Sequence, residues 1–307
     1  MIEETMLEQS TTDSENVQIT PSNDVLGAEI TGVDVAAGID ETTLMTVRDA
    51  VLRHSLVVFR DQHLSPGEQL AFTNRMAEVR LTPRPADGAH ATIVPDYPQL
   101  IVVSNIVENG HPIGISDAGL LWHSDTCFQT NPELFITLCA LEIPERDGIA
   151  LGDTRYASTP AAYDALDDAT KQRIDKLRVV QSYIYHMDKL ERLGLLTRPH
   201  LTEKQRRNTV EVSHPLVRTH PITGRKLLYI NEAFSDRIEG MPYDESRKLL
   251  DELLAHITRE DFTTLHHWRA GDLLIWDNCA TQHLATFDYG TIPRRLHRCG
   301  TVGPVPV

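Results

Sequence analysis

The apolar segments of this chain are short and interrupted by polar turns, and that pattern limits its fold more than any other feature. The runs at 56–59, 100–104, 134–143, 210–217, 226–231, 272–277 and about 294–302 have the length and side-chain character of strands. Helical periodicity intervenes at 40–53, where Leu44, Val47 and Val51 share a face, then around 161–177 and near 243–257. A further helix is expected to start at Ser65, with Ser65 as cap, Pro66 in the first turn and Glu68 closing a capping box. Strands outnumber helices in the second half, and neither a repeat nor a Gly/Ser-rich linker divides the chain. The expected class is therefore mainly β with helices, a β-barrel or jelly roll in one domain spanning 17–307. Residues 1–16 are polar and acidic and read as a disordered tail.

Bulk properties narrow the partners. A length of 307 residues suffices for a full hydrophobic core. A net charge of −15 repels phosphate backbones, so nucleic acid is not an expected partner. Such a surface says little about a small substrate, because a basic pocket can sit inside an acidic protein. Cys127, Cys139, Cys279 and Cys299 form no C-x-x-C pair, which favours reduced thiols over a disulfide framework or zinc cluster. The first residues lack the basic and apolar regions of a secretory signal, and no run approaches the roughly 18 apolar residues of a membrane helix. A cytoplasmic protein with no membrane partner is expected.

The segment Trp122-His123-Ser124-Asp125 carries the chemistry. On extended chain, residues two apart share a face, so His123 and Asp125 can present an imidazole and a carboxylate side by side. A third ligand is available in His283, just beyond the buried run ending Trp276-Asp277-Asn278. Two histidines and a carboxylate leave open positions on an Fe(II) ion, though zinc accepts the same ligands. Arg298 follows His283 by fifteen residues, room for a turn and a return strand, and its guanidinium could clamp the far carboxylate of a dicarboxylic acid. Gly152-Asp153-Thr154 offers a hydroxyl for the same task.

The ordered set WHSD, GDT, WDNxxxxH and RxLxR resembles the taurine and 2,4-dichlorophenoxyacetate dioxygenases, over roughly residues 26–302. The early segments LGAEITGVD and LVVFRDQHLSPGEQLAF extend the resemblance. It implies a double-stranded β-helix in which His123, Asp125 and His283 are the catalytic Fe(II) ligands. It further implies 2-oxoglutarate and O₂ as co-substrates, with Arg298 and Thr154 on the distal carboxylate and Arg294 assisting. Succinate and CO₂ would leave, and a homodimer or homotetramer would be usual. Asp125 stands where related halogenases carry a small residue, so hydroxylation-type chemistry is expected.

In the resembled family the segment before the His-x-Asp pair often recognises an acidic group on the substrate. Here it holds Arg80, Thr82 and Arg84, without the histidine and tyrosine of taurine enzymes, which argues against taurine itself. With Phe128 just past the ligand pair, these residues make a small, anionic organic substrate the expectation. The stretch SNIVENGHPIGISDAGLLWHSD also resembles family members that form isonitriles, so isonitrile formation or desaturation stands as an alternative. A zinc hydrolase and a catalytically silent sensor are the alternatives of another class. Trp122 and Trp276 read as core or pocket wall, Arg295 as solvated charge, and the adjacent His266 and His267 as facing opposite ways.

Overall fold

The computed structural model describes residues 16–81 and 92–307. The acidic tail, apart from Asn16, and the pair Thr82 and Arg84 lie outside the described residues. The first part of the chain runs β1 (Gln18–Pro21), β2 (Ala28–Thr31), α1 (Glu41–His54), β3 (Leu56–Phe59), α2 (Pro66–Met76), β4 (Ile93–Val94), β5 (Tyr97–Ser104) and β6 (Glu133–Glu142). The second part includes β7 (Thr154–Ser158), β8 (Arg178–Gln181), α3 (Tyr183–Arg192), β9 (Val212–Pro215), β10 (Ser235–Ile238) and α4 (Tyr243–Ile257). It ends in β11 (Thr263–His266), β12 (Leu273–Asp277), β13 (Thr281–Ala285) and β14 (Arg295–Val302). The described chain is thus mainly β with helices.

One eight-stranded sheet organises the molecule, in the order β1-β2-β3-β12-β6-β14-β5-β4. Two three-stranded sheets accompany it, β11-β7-β13 and β9-β8-β10. β12 pairs antiparallel with β3 on one side and β6 on the other, so its Leu-Leu-Ile-Trp run is buried on both faces. That double burial explains why the run is continuously apolar rather than alternating. The period of two still decides direction. Leu273 and Ile275 join Val47, Val51 and Phe72 of α1 and α2 in one core. Leu274 and Trp276 turn the other way, to Tyr156 of β7 and Trp268.

The helices form where local chemistry directs them. Asp40 caps α1, its side chain accepting from the Thr43 N–H at 2.6 Å. The expected box at Ser65 is present, with the Glu68 N–H on Ser65 Oγ and the Ser65 N–H on Glu68 Oε2. α4 buries Leu249, Leu250, Leu253, Leu254 and Ile257 against Val179 and Ile238 of the β9-β8-β10 sheet. Among the described residues no helix is long and apolar enough to cross a membrane.

Most elements with plain apolar runs fall within a residue or two of the expected limits, but β5 begins three residues early, at Tyr97, and the run 210–217 is divided into Val212–Pro215 and Val217–Thr219. The run 226–231 forms a strand only over Lys226–Leu228, because Asn231 turns the chain, its side chain accepting from the Phe234 N–H. β7, β8, β11, β13 and α3 are elements that the periodicity did not indicate. All but α3 are strands of four or five residues in the smaller sheets.

Ile275 is fully buried between the helices and the main sheet. Ile275→Ala should destabilise the fold by about 2–5 kcal/mol. A urea denaturation midpoint that does not move would contradict the packing described.

Candidate active site

His123 and His283 exchange backbone hydrogen bonds, at 3.1 Å from the His123 N–H and 2.8 Å from the His283 N–H. This isolated bridge ties the loop before β6 to β13 and sets the two imidazoles 4.0 Å apart between ring centroids. Asp125 lies between them, with Oδ1 3.7 Å from His123 Nε2 and Oδ2 3.9 Å from His283 Nε2. One ligand atom from each of the three residues fits within 4.8 Å of the others.

The Trp-Asp-Asn run secures this arrangement. Asn278 Oδ1 accepts from the Asp125 N–H at 2.8 Å, and its amide donates to the carbonyls of Asp125 and Glu133, both at 2.9 Å. Ser124 Oγ donates to the Thr281 carbonyl. Held from both sides, the loop can keep Thr126 at a φ of 54°, a left-handed conformation unfavourable for a β-branched residue. Trp276 meets the His283 ring edge-on and Tyr156 stacks on it, fixing the imidazole plane.

The electrostatics favour metal ligation. Burial works against ionisation of Asp125, but Arg298 and the two imidazoles outweigh it and hold its carboxyl down at about 2. Burial, with His123 beside it, pushes His283 down to about 3. His123 Nδ1 lies 2.9 Å from the Leu121 carbonyl and so carries the proton, leaving the Nε2 lone pair free. Asp125 Oδ2 is buried and faces Arg298 Nη2 at 3.2 Å, with no backbone N–H directed at it among the described residues. An ionised carboxylate and two imidazoles, one of them oriented by its own proton, fit a divalent ion.

A narrow cavity of about 60 Å³ leads from these ligands to Thr154 and Arg294, past Tyr156 and Trp276. Thr154 is buried and accepts from the Trp268 indole at 3.0 Å, which leaves its hydroxyl proton available. Arg294 is 5% exposed, donates to the Gly152 carbonyl at 3.3 Å, and has a buried Nε without a partner. It makes no ion pair among the described residues, and burial lowers its pKa. Arg298 has different neighbours. It pairs with Asp125 at 3.2 Å and with Glu133, while also lining this cavity. The sequence pointed to both arginines, and only the structure separates their surroundings.

A second cavity, of about 210 Å³, opens on the other side of His123 and Asp125. Phe128 lines it as expected, packed between Tyr183 at 5.2 Å and Phe234 at 4.7 Å. Arg80 does not line it, being turned toward Gln129 and the Asn131 carbonyl. Sequence reasoning missed Asp117, Tyr183, His186, Arg198 and Phe234, which come from remote loops and α3 and carry no motif. Burial pushes His186 down to about 4, so its ring enters the cavity wall uncharged at neutral pH. His266 and His267 do face apart, toward Asp272 and Asp153 respectively, and Arg295 pairs with Glu108 at the surface.

Comparison with known proteins agrees with this geometry. Residues 16–299 match the family described as Taurine catabolism dioxygenase TauD, TfdA family. The chain is 34% identical over 289 residues to an alpha-ketoglutarate-dependent sulfate ester dioxygenase of Pseudomonas putida, covering 92% of this chain and 88% of that protein. It is 31% identical over 299 residues to the alpha-ketoglutarate-dependent 2,4-dichlorophenoxyacetate dioxygenase of Cupriavidus pinatubonensis, covering 94% and 98%. A taurine dioxygenase structure from Burkholderia xenovorans superposes with a TM-score of 0.77 at 31% identity, over 95% of this chain and 91% of that one. The structure of AAD-2 with Mn(II) and N-oxalylglycine gives 0.77 at 28% identity, over 94% and 98%. The chain belongs to the TauD, TfdA family and is an Fe(II)- and 2-oxoglutarate-dependent dioxygenase that acts on a small molecule.

Proposed function

We propose that His123, Asp125 and His283 hold the Fe(II), that Thr154 and Arg294 receive the distal carboxylate of 2-oxoglutarate, and that the aromatic cavity beside Phe128 takes the organic substrate. The observation that carries this reading is the buried Arg294, without an ion pair among the described residues, in the wall of a cavity that the ligands also line. A buried guanidinium without a carboxylate is costly, and a dicarboxylate reaching from the metal would relieve that cost. The reading moves the clamp from Arg298 to Arg294. A zinc hydrolase with the same ligands would have no use for such a clamp. We also infer that the main sheet and the β11-β7-β13 sheet form a double-stranded β-helix within a single domain over 17–307. Assembly as a homodimer or homotetramer in the cytoplasm belongs to the same reading.

When bound, the ion and 2-oxoglutarate activate O₂, with succinate and CO₂ as co-products. The chain contributes position and exclusion of water. Leu121 and Asn278 orient His123 and Asp125, the Tyr156 and Trp276 rings hold His283, and Arg294 fixes the length at which a co-substrate is held. Phe128, Tyr183 and Phe234 keep the substrate side apolar.

Each of His123→Ala, Asp125→Ala and His283→Ala should abolish 2-oxoglutarate-dependent succinate release and lower the bound metal measured by atomic emission. Full metal content and turnover in any one of them would remove that residue from the ligand set.

Arg294→Ala should weaken 2-oxoglutarate binding by at least about tenfold, since truncating one partner of a desolvated charged pair costs about 2–5 kcal/mol. Arg294→Lys should not restore it, because the planar fork is lost. Thr154→Ala should cost only about 0.5–1.5 kcal/mol. Anaerobic titration of the Fe(II) protein, followed by its charge-transfer band, measures all three. An unchanged dissociation constant in Arg294→Ala would return the role to Arg298.

A further inference from the structure

The substrate-side cavity has aromatic and aliphatic walls, and among the described residues two guanidiniums reach it, Arg198 and Arg298. Both are already engaged. Arg198 forks onto Asp117, with Nε 3.1 Å from Oδ2, while Thr197 donates to the same oxygen at 2.7 Å. Arg298 is held by Asp125 at 3.2 Å and, through both terminal nitrogens, by Glu133. Glu133 is not an incidental neighbour. It is 3% exposed at the first position of β6, and its N–H donates to Thr126 Oγ1 at 2.8 Å. Arg80 Nε approaches its Oε1 at 3.8 Å. Gly300 on the adjoining β14 leaves it room, since a Cβ at that position would fall on the Glu133 carboxylate. Three guanidiniums, Arg80, Arg198 and Arg298, thus stand against three carboxylates, Asp117, Asp125 and Glu133, and the local charge is balanced before a substrate arrives.

We propose that Glu133 is a specificity-determining residue that holds both terminal nitrogens of Arg298 from behind the cavity wall and thereby neutralises it, so that the substrate presents an uncharged, apolar or aromatic portion to the metal. The proposal rests on the metal and co-substrate reading above. The physical reason is competition. An incoming carboxylate or sulfate would have to compete for Arg298 with a tethered, buried carboxylate already in bidentate contact, and it would add a negative charge to a balanced, poorly solvated site. A neutral group meets neither obstacle and retains the contacts of Phe128, Tyr183 and Phe234. This sets the chain apart from the anionic expectation drawn from the segment of Arg80 and Arg84. Arg80 supports Glu133 instead, and Arg84 lies outside the described residues.

The test uses a matched pair of probes, phenoxyacetate and phenoxyacetamide, which share size and shape and differ in charge. Calorimetry on the full chain loaded with Mn(II) and N-oxalylglycine gives both dissociation constants without turnover. The wild type should bind the amide at least about tenfold more tightly than the acid. Glu133→Gln, which keeps the shape and removes the charge, should shift that ratio toward the acid by at least about tenfold. Glu133→Met should shift it in the same direction and serves if the glutamine variant does not fold. A wild type that prefers the acid would overturn the proposal, as would a ratio unmoved in the variants, including the case in which no protein binds either probe. Binding of N-oxalylglycine itself is the control. Its loss in the wild type would strike the metal and co-substrate assignment, whereas its retention with an unmoved ratio would strike only Glu133.

Discussion

Asn278 is the joint on which the site depends. One side-chain amide accepts from the Asp125 N–H and donates to two carbonyls, so it joins the end of β12, the loop of His123 and Asp125, and the start of β6. The three ligands come from segments about 160 residues apart in the chain, and their closeness is set by this joint and by the His123–His283 bridge. The loop itself has no regular hydrogen-bond ladder. A strained residue such as Thr126 persists there because its surroundings leave no alternative.

Asp277, the residue before that joint, shows how a similar set of side chains can have a purely structural role. His220, Asp277 and Cys279 gather within ligand distance and are all buried. Yet His220 Nδ1 accepts from the N–H groups of Ile222 and Thr223, and its Nε2 lies 2.8 Å from Asp277 Oδ2. The other Asp277 oxygen accepts from the Cys279 and Ala280 N–H groups. Burial pushes the Cys279 thiol up to about 12, far from the thiolate a metal requires. With both imidazole nitrogens of His220 and both carboxylate oxygens of Asp277 engaged in this way, the cluster shapes the turn after β12. The ligand set differs in that no backbone N–H among the described residues is directed at Asp125 Oδ2, which faces Arg298 across the cavity wall.

Arg294 and Arg298 show that local sequence does not decide what a charge does. They stand four residues apart around the start of β14, and both are largely buried. The main sheet brings β6 alongside β14, which places Glu133 against Arg298. Arg294 sits before the strand, under Tyr289 and the Gly152 carbonyl, where no carboxylate of the described residues pairs with it. Burial accordingly lowers the pKa of Arg294, while its two carboxylate neighbours raise that of Arg298 despite comparable burial.

By itself the sequence determined what depends on near neighbours. The capped starts of α1 and α2, the amphipathic α4 and the continuously apolar β12 all follow from local spacing and side-chain chemistry. The His-x-Asp pair, His283 and the two arginines were legible as residue types in order. Tertiary structure decided the rest. β7 and β13 read poorly because their strand character comes from pairing with each other and from facing a cavity, not from an apolar run. The aromatic wall of Phe128, Tyr183 and Phe234 joins residues from three distant segments. Glu133 stands in the sequence as an ordinary acidic residue at the head of a strand. Its place under Arg298 arises only when β6 and β14 pair and Gly300 leaves space for its carboxylate, because burial and partner, not identity, decide what a charged side chain can do.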